Sequence, residues 1–233
     1  MAQSMTEPAA FLRRSPLRRA LDEAHASWRA LGDAAIADAI EGNTGAGKLA
    51  IADLSPLPRL GIKGRGTIDA MKARGVVVEA MPNRAFLQPD GGLCLVLAPG
   101  EVILLSNLAG DGAHFECWLA GWRIENEERT YPLLRRDSHA WFAVSGTDAP
   151  AMFAKICAID LRPGKFANLA IAQTSAAKMS VIITRADIGS VQTYHVLADS
   201  ASALYFWTCI MDAAQEFQGR LVGLKALQQL GGA

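Results

Sequence analysis

In a chain of 233 residues, Lys+Arg and Asp+Glu both number 23, so the formal net charge is zero. That removes the basic excess with which nucleic-acid binders displace counterions. Hydrophobic residues at 51% and charged residues at 20% are a globular balance that excludes a disordered chain, and no apolar run reaches the roughly 20 residues that cross a bilayer.

Residues 1–14 read as a flexible leader. Arg13, Arg14, Arg18, Arg19 and Ser15 have a transit-peptide flavour, but Glu7, Asp22 and Glu23 interrupt it and no signal-peptide core follows. Leu17, Leu21, Trp28, Leu31 and Ala35 recur at helical spacing and predict a helix from Pro16 to Ile40. Three glycines from Gly42 to Gly47 end it in a loop, and Leu49–Leu54 read as a strand.

An internal near-repeat occupies the rest. Leu60–Met71 and Phe142–Phe153 each read as strand, glycine turn and short helix. Gly75 closes the first helix; Thr147 or Asp148 caps the second, with Pro150 in its first turn. Each copy continues with a glutamine-bearing strand, Ala85–Gln88 and Ile171–Thr174. An apolar hairpin follows in each: Leu93–Leu97 with Val102–Leu105, and Met179–Thr184 with Tyr194–Leu197. Each ends in a helix, His114–Trp122 and, after an Asp199-Ser200 cap, Ala203–Phe217. The expected fold is α+β, with two pseudo-symmetric β-α-β-β-β-α (ferredoxin-like) halves sharing a core. The halves span about 15–125 and 126–219 of one domain, 15–219, and 220–233 form a C-terminal tail.

The candidate chemistry is thin. Gly42-Asn43-Thr44-Gly45-Ala46-Gly47-Lys48-Leu49 fits G-x-x-x-x-G-K. A phosphate loop, however, needs a strand before it, a helix after it and a hydroxyl after the lysine to hold magnesium. Here a helix precedes, a strand follows, and Leu49 stands in the hydroxyl's place. Gly61, Gly64 and Gly66, with Lys63 and Arg65, sit at a strand-to-helix junction, where tight-turn geometry explains them better than anion binding. His25, His114, His139 and His195 have no helical-spacing partner for a metal, and His195 is expected to bond locally within its strand. Cys94, Cys117, Cys157 and Cys209 read as four reduced, buried thiols of a cytoplasmic protein. The mixed run from Arg123 to Arg129, with Arg135-Arg136-Asp137, is a solvated connection between halves or a partner-facing rim.

The residues resemble a known family. Ser15-Pro16-Leu17, the Gly64 turn, Ile159-Asp160-Leu161-Arg162, Phe166, Ala172-Gln173-Thr174-Ser175, the run Tyr194–Ala203 and Asp212–Phe217 are similar to the gamma subunit of the heterotetrameric sarcosine oxidases. The resemblance covers Ser15 to Gly219; the second half carries its specific part and the first half matches in pattern. It implies the fold of the glycine-cleavage T-protein folate-binding domain and an accessory, non-catalytic role in a flavoenzyme that demethylates sarcosine or, in the related dehydrogenase, N-methylglutamate. It also implies alpha, beta and delta partner subunits, which hold FAD, FMN, a nicotinamide dinucleotide, tetrahydrofolate and zinc. T-protein-like enzymes place a catalytic carboxylate shortly after a glycine pair, but here Gly91-Gly92 is followed by Leu93-Cys94-Leu95-Val96. A stand-alone folate-binding aminomethyltransferase is the alternative, and it lacks that residue. No catalytic, cofactor or metal residue is assigned in this chain. Arg18, Arg19, Arg162 and Phe166 are expected at an interface, since arginine and aromatics are enriched there.

Overall fold

The computed structural model describes residues 6–43, 45, 47–123 and 129–231. Helix α1 (Arg18–Glu23) buries Leu21 and stops where His25 takes a positive φ of 55°. The helix expected to run on to Ile40 is instead an antiparallel hairpin, β1 (Ala26–Leu31) and β2 (Ala34–Ile40). Gly32-Asp33 makes the two-residue turn between the paired Leu31 and Ala34, and Gly32, at φ 56°, supplies the left-handed residue that such a turn requires. Ala34 to Ala37 are buried consecutively, as in a covered strand rather than a helical stripe.

Next come β3 (Ala50–Asp53), β4 (Arg59–Gly64), α2 (Thr67–Ala73), β5 (Arg84–Leu87), β6 (Leu93–Ala98), β7 (Glu101–Leu105) and α3 (Ala113–Gly121). They are followed by β8 (Thr130–Leu133), the single turn α4 (Arg135–Ser138), β9 (His139–Ser145), α5 (Ala149–Phe153), β10 (Ile171–Ala176), β11 (Met179–Arg185), β12 (Thr193–Asp199) and α6 (Ala203–Gln215). The β-α-β-β-β-α order thus occurs twice, with both hairpins and both closing helices at the expected segments. Gly75 follows α2 at φ 80°, and Asp199 caps the turn before α6 by accepting a 2.7 Å bond from the Ala201 N–H. Asp148 occupies the N-cap of α5 without a side-chain cap bond; its N–H donates to the Lys48 carbonyl at 3.1 Å instead. The segment expected as a tail adds β13 (Arg220–Leu221), parallel to β3, and α7 (Leu224–Gly231), which buries Leu224 and Leu227.

The two large sheets have strand orders β5-β6-β7-β4-β8 and β10-β11-β12-β9-β3-β13. The first four strands of each correspond, and the fifth is exchanged. β3, which leads into β4, pairs with β9, while β8, which leads into β9, pairs with β4. The spatial division therefore crosses the division along the chain.

Between the sheets lies one apolar layer, with Leu93, Leu95 and Ile103 facing Ala52, Trp141 and Leu197 and with Leu227 of α7 added. The outer face of the first sheet is covered by α2 and α3 through Met71 and Phe115, and that of the second by α1, α5 and α6 through Leu21, Phe153 and Phe206. Trp207, 6% exposed, lies 6.0 Å from the Phe142 ring. Trp207→Ala should lower stability by about 3–5 kcal/mol through lost burial and a cavity. Urea denaturation checks this, and a midpoint equal to wild type would refute the packing described. Among the described residues no helix is long and apolar enough to cross a membrane.

Candidate functional site

Because β3 and β8 are exchanged, the connections that follow them meet at one end of the sheets, and Arg59 joins them. Its Nε donates to the Arg135 carbonyl at 3.0 Å, and one terminal nitrogen donates to the Ser55 and Leu57 carbonyls at 2.8 and 3.0 Å. The other donates to the Arg136 carbonyl at 2.6 Å and to that of His139. All five guanidinium N–H groups are thereby used. Beside it, Asp53 accepts from the Ser15 hydroxyl and, at 3.0 Å, from the Ser55 N–H. The Ser55 hydroxyl accepts from the Trp141 N–H at 3.1 Å. Burial raises the Asp53 carboxyl pKa, partly opposed by its bonds to Ser15 and Ser55. Burial also lowers Arg59 to about 10, helped by repulsion from Arg13.

A cleft of about 750 Å³ opens over this knot. Leu31, Pro58, Phe115, Leu119 and Leu134 form its apolar walls, while Arg13, Asp33, Glu116 and Arg136 form a charged rim. Arg13 bridges Asp33 and Asp137, both at 3.1 Å, and Arg136 bridges Asp33 at 3.0 Å and Glu116 at 3.4 Å. A smaller recess of about 280 Å³ adjoins it and shares Arg13, Arg59, Arg136 and Asp137. Sequence reasoning missed this cleft, since its charges come from positions 13, 33, 116 and 136. The only signal was Arg135-Arg136-Asp137, read as connection or rim. These residues fold back into the domain, Arg135 onto Glu101 at 2.8 Å and Arg136 onto the cleft.

His195 is buried between the sheets. The Trp141 indole N–H, 54 residues away on the neighbouring strand, donates to its Nδ1 at 3.1 Å, and the ring also bonds the Ala186 backbone nearer in the chain. Burial pushes it down to about 4. An unfolded histidine titrates near 6.5, so below that pH the unfolded chain takes up a proton that the folded one refuses. Stability present above pH 6.5 is therefore lost as the pH falls towards 4, by up to about 1.4 kcal/mol per pH unit. The raised Asp53 acts with the opposite sign above its unfolded value. His195→Gln should flatten the acid limb of the urea midpoint against pH; identical slopes in mutant and wild type would refute the assignment.

The other expected positions are dispersed. The loop carrying Lys48 lies between β2 and β3, so a strand, not a helix, precedes it and no helix follows; Thr44 and Ala46 lie outside the described residues, as does most of the 123–129 run. Gly61 and Lys63 are paired residues of β4, Gly64 ends that strand with its N–H donating to the Gly100 carbonyl at 2.8 Å, and Arg65 and Gly66 make the turn into α2. After Gly91-Gly92, Leu93 and Leu95 enter the inter-sheet layer and Cys94 the opposite core. Asp90 turns back to accept from the Gly92 N–H at 2.9 Å. That hairpin therefore offers no carboxylate for one-carbon transfer at the position expected.

Arg18 bridges Asp22 at 3.0 Å, and Arg19 is exposed. Arg162 is exposed and forks onto Asp160 at 2.6–3.1 Å, holding that carboxyl down to about 2. Phe166, expected at an interface, is buried and stacks on Tyr194 with centroids 6.4 Å apart, because its N–H closes a turn onto the Arg162 carbonyl at 2.8 Å. Cys94 and Cys157 are buried, but Cys117 is exposed and Cys209 partly so, which corrects the expectation of four buried thiols. Cys117 stands two residues from the buried Phe115 on α3, on the other side of the helix. Among the described residues no three or more His, Cys, Asp or Glu side chains converge as a metal site.

No protein-family model matches the sequence, and no curated protein sequence does. Solved structures do match. A chain of the heterotetrameric sarcosine oxidase from Corynebacterium sp. U-96, in complex with pyrrole 2-carboxylate, is 21% identical with a TM-score of 0.67; the match covers 88% of this chain and 96% of that one. The glycine cleavage system aminomethyltransferase T from Bartonella henselae is 16% identical with a TM-score of 0.70; the match covers 94% of this chain and 62% of that one. The present chain thus spans less than two thirds of the aminomethyltransferase. At these identities the likeness establishes the fold, and the fold is the expected T-protein-like α+β arrangement.

Proposed function

We propose that this chain is an accessory subunit of a multi-subunit, cytoplasmic flavin-dependent oxidoreductase that demethylates an N-methyl amino acid, sarcosine or N-methylglutamate. The observation that carries this reading is the match over 96% of a chain of heterotetrameric sarcosine oxidase: the two correspond almost end to end, as equivalent subunits would. In this reading the alpha, beta and delta partners hold the FAD, FMN, nicotinamide dinucleotide, tetrahydrofolate and zinc, and the present chain contributes docking surface. Arg19 and Arg162, exposed on the second-sheet side, are its candidate contacts. Arg18 contributes less, being tied to Asp22.

The alternative, a folate-binding aminomethyltransferase-like protein, is favoured by the likeness to aminomethyltransferase T over 94% of this chain. Against it stand Leu93-Cys94-Leu95, all buried in the two cores.

The test is affinity purification of the natively expressed chain, followed by size-exclusion chromatography with mass analysis and flavin absorbance. Co-elution with flavin-bearing chains, and oxidation of sarcosine or N-methylglutamate by the pooled complex, are expected. A stable monomer that never co-purifies with a flavoprotein would overturn the reading. Stoichiometric micromolar binding of tetrahydrofolate by the free chain would favour the alternative.

A further inference from the structure

The recess and the cleft share Arg13, Arg59, Arg136 and Asp137 and differ in most of the rest of their lining. In the recess, four of the lining side chains are arginines, Arg13, Arg14, Arg59 and Arg136, against one aspartate, Asp137. Arg59 is 4% exposed, and no described carboxylate forms an ion pair with it. Its N–H groups are spent on backbone carbonyls, and its charge feels the attraction of Asp53 and Asp137 together with the repulsion of Arg13 and Arg136, which crowd it from the front. His139, lining the same recess, is held down to about 4 by burial and by Arg135 and Arg59, a second sign of local positive potential. The cleft beside the recess has aliphatic and aromatic walls, Leu31, Pro58, Phe115, Leu119 and Leu134, with Asp33, Asp111 and Glu116 among its remaining lining. The cleft volume of about 750 Å³ lies within the range of pockets that enclose small organic ligands.

We propose that the cleft and its arginine recess together bind a small amphipathic carboxylate, with its apolar body between the Pro58 and Phe115 walls and its head group at Arg13 and Arg136. Guanidinium groups present parallel N–H donors that match a planar carboxylate. Arg13 and Arg136 each already contact two carboxylates through single N–O pairs, Arg13 those of Asp33 and Asp137 and Arg136 those of Asp33 and Glu116, so a ligand head group exchanges with these side-chain carboxylates at the same guanidinium groups. An entering anion also relieves the crowding of Arg13, Arg59 and Arg136, which gives the site a preference for an acid over a neutral analogue of equal length. The apolar wall sets the other half of the selection, since burying each methylene contributes about 0.8 kcal/mol. This inference is independent of the accessory role: it concerns the free chain's own cleft, whatever the chain assembles with.

The experiment is calorimetric titration of the full chain with octanoate, acetate and octan-1-ol. Saturable one-site binding of octanoate is expected, with acetate and octan-1-ol each at least about tenfold weaker, the first for want of apolar contact and the second for want of charge. Arg136→Ala should weaken octanoate about tenfold while leaving the circular dichroism spectrum unchanged. Equal affinity for octanoate and octan-1-ol, no saturable octanoate binding, or full binding by a folded Arg136→Ala protein would each overturn the proposal. The comparison among the three ligands uses the wild-type chain and so does not depend on the variant folding.

Discussion

Gly146→Ala should destabilise the protein by about 4–5 kcal/mol, at the extreme of single substitutions. Two physical terms add. Gly146 has a φ of 117°, outside the regions open to a residue with a Cβ. A Cβ built there would also overlap the Lys48 carbonyl oxygen and lie 2.6 Å from its carbon. These are backbone atoms at the start of the exchanged strand β3, held in place by the pairing of Ala50 with Ser145, so no side-chain rotation relieves the overlap. The other repeat has the same device. Gly64, at φ 143°, faces Arg129 and Thr130 at the start of β8, with a Cβ 2.8 Å from the Thr130 Cα. Each glycine thus lets the strand from the other half close onto its sheet, and Gly64→Ala should be damaging for the same reason. The control is Gly164→Ala, with an ordinary φ and nothing within 4 Å, which should change stability by no more than about 0.5 kcal/mol. Urea denaturation of the three variants is the measurement, and a wild-type midpoint for Gly146→Ala would mean that β3 does not pass where described.

Arg59→Ala should cost on the order of 5 kcal/mol and leave a chain that is largely unfolded near 37 °C. Its guanidinium serves five carbonyls on two connections, those of Ser55 and Leu57 on one side and of Arg135, Arg136 and His139 on the other. Truncation leaves several of these acceptors in a region with little water, at about 1–3 kcal/mol each where they stay unsatisfied. It also removes the favourable charge beside Asp53. Arg59→Lys keeps the charge but has one nitrogen and no fork, so it should recover only part of the loss. Thermal melts of both variants check the order wild type, Lys, Ala. An alanine variant as stable as wild type would show that the two connections are held by their flanking strands alone.

The β-α-β-β-β-α order was legible in the sequence twice over because each element is specified locally. The strand–glycine–helix passages at Leu60–Met71 and Phe142–Phe153, the Pro99-Gly100 hairpin and the apolar stripe of α6 depend on turn chemistry and side-chain periodicity within about a dozen residues. Gly64 and Gly146 stood out as turn residues; the strand passing against them, which is why nothing larger fits, did not. At 26–40 the helical spacing from Leu17 to Ala35 predicts the wrong element: in the fold Gly32-Asp33 makes a hairpin turn, and Ala34–Ala37 are buried consecutively on a strand that packs with α7. Folding of residues 220–231 likewise follows from an open edge on β3 that accepts β13.

By itself, then, the sequence determined the class of fold, the two copies of the repeat and the absence of an acid after Gly91-Gly92, since each is a property of residues adjacent in the chain. Only the tertiary structure decided that β3 and β8 change places, that Arg59 ties their connections together, that Phe166 is core and that Arg13, Asp33, Glu116 and Arg136 share one cleft. The physical reason is the same in each case. An exchanged strand satisfies the same backbone hydrogen bonds and buries the same apolar face as an unexchanged one, so local pattern does not distinguish them. The choice rests on contacts between residues about 65 to 95 positions apart, and those contacts exist only once both sheets have closed on their common core.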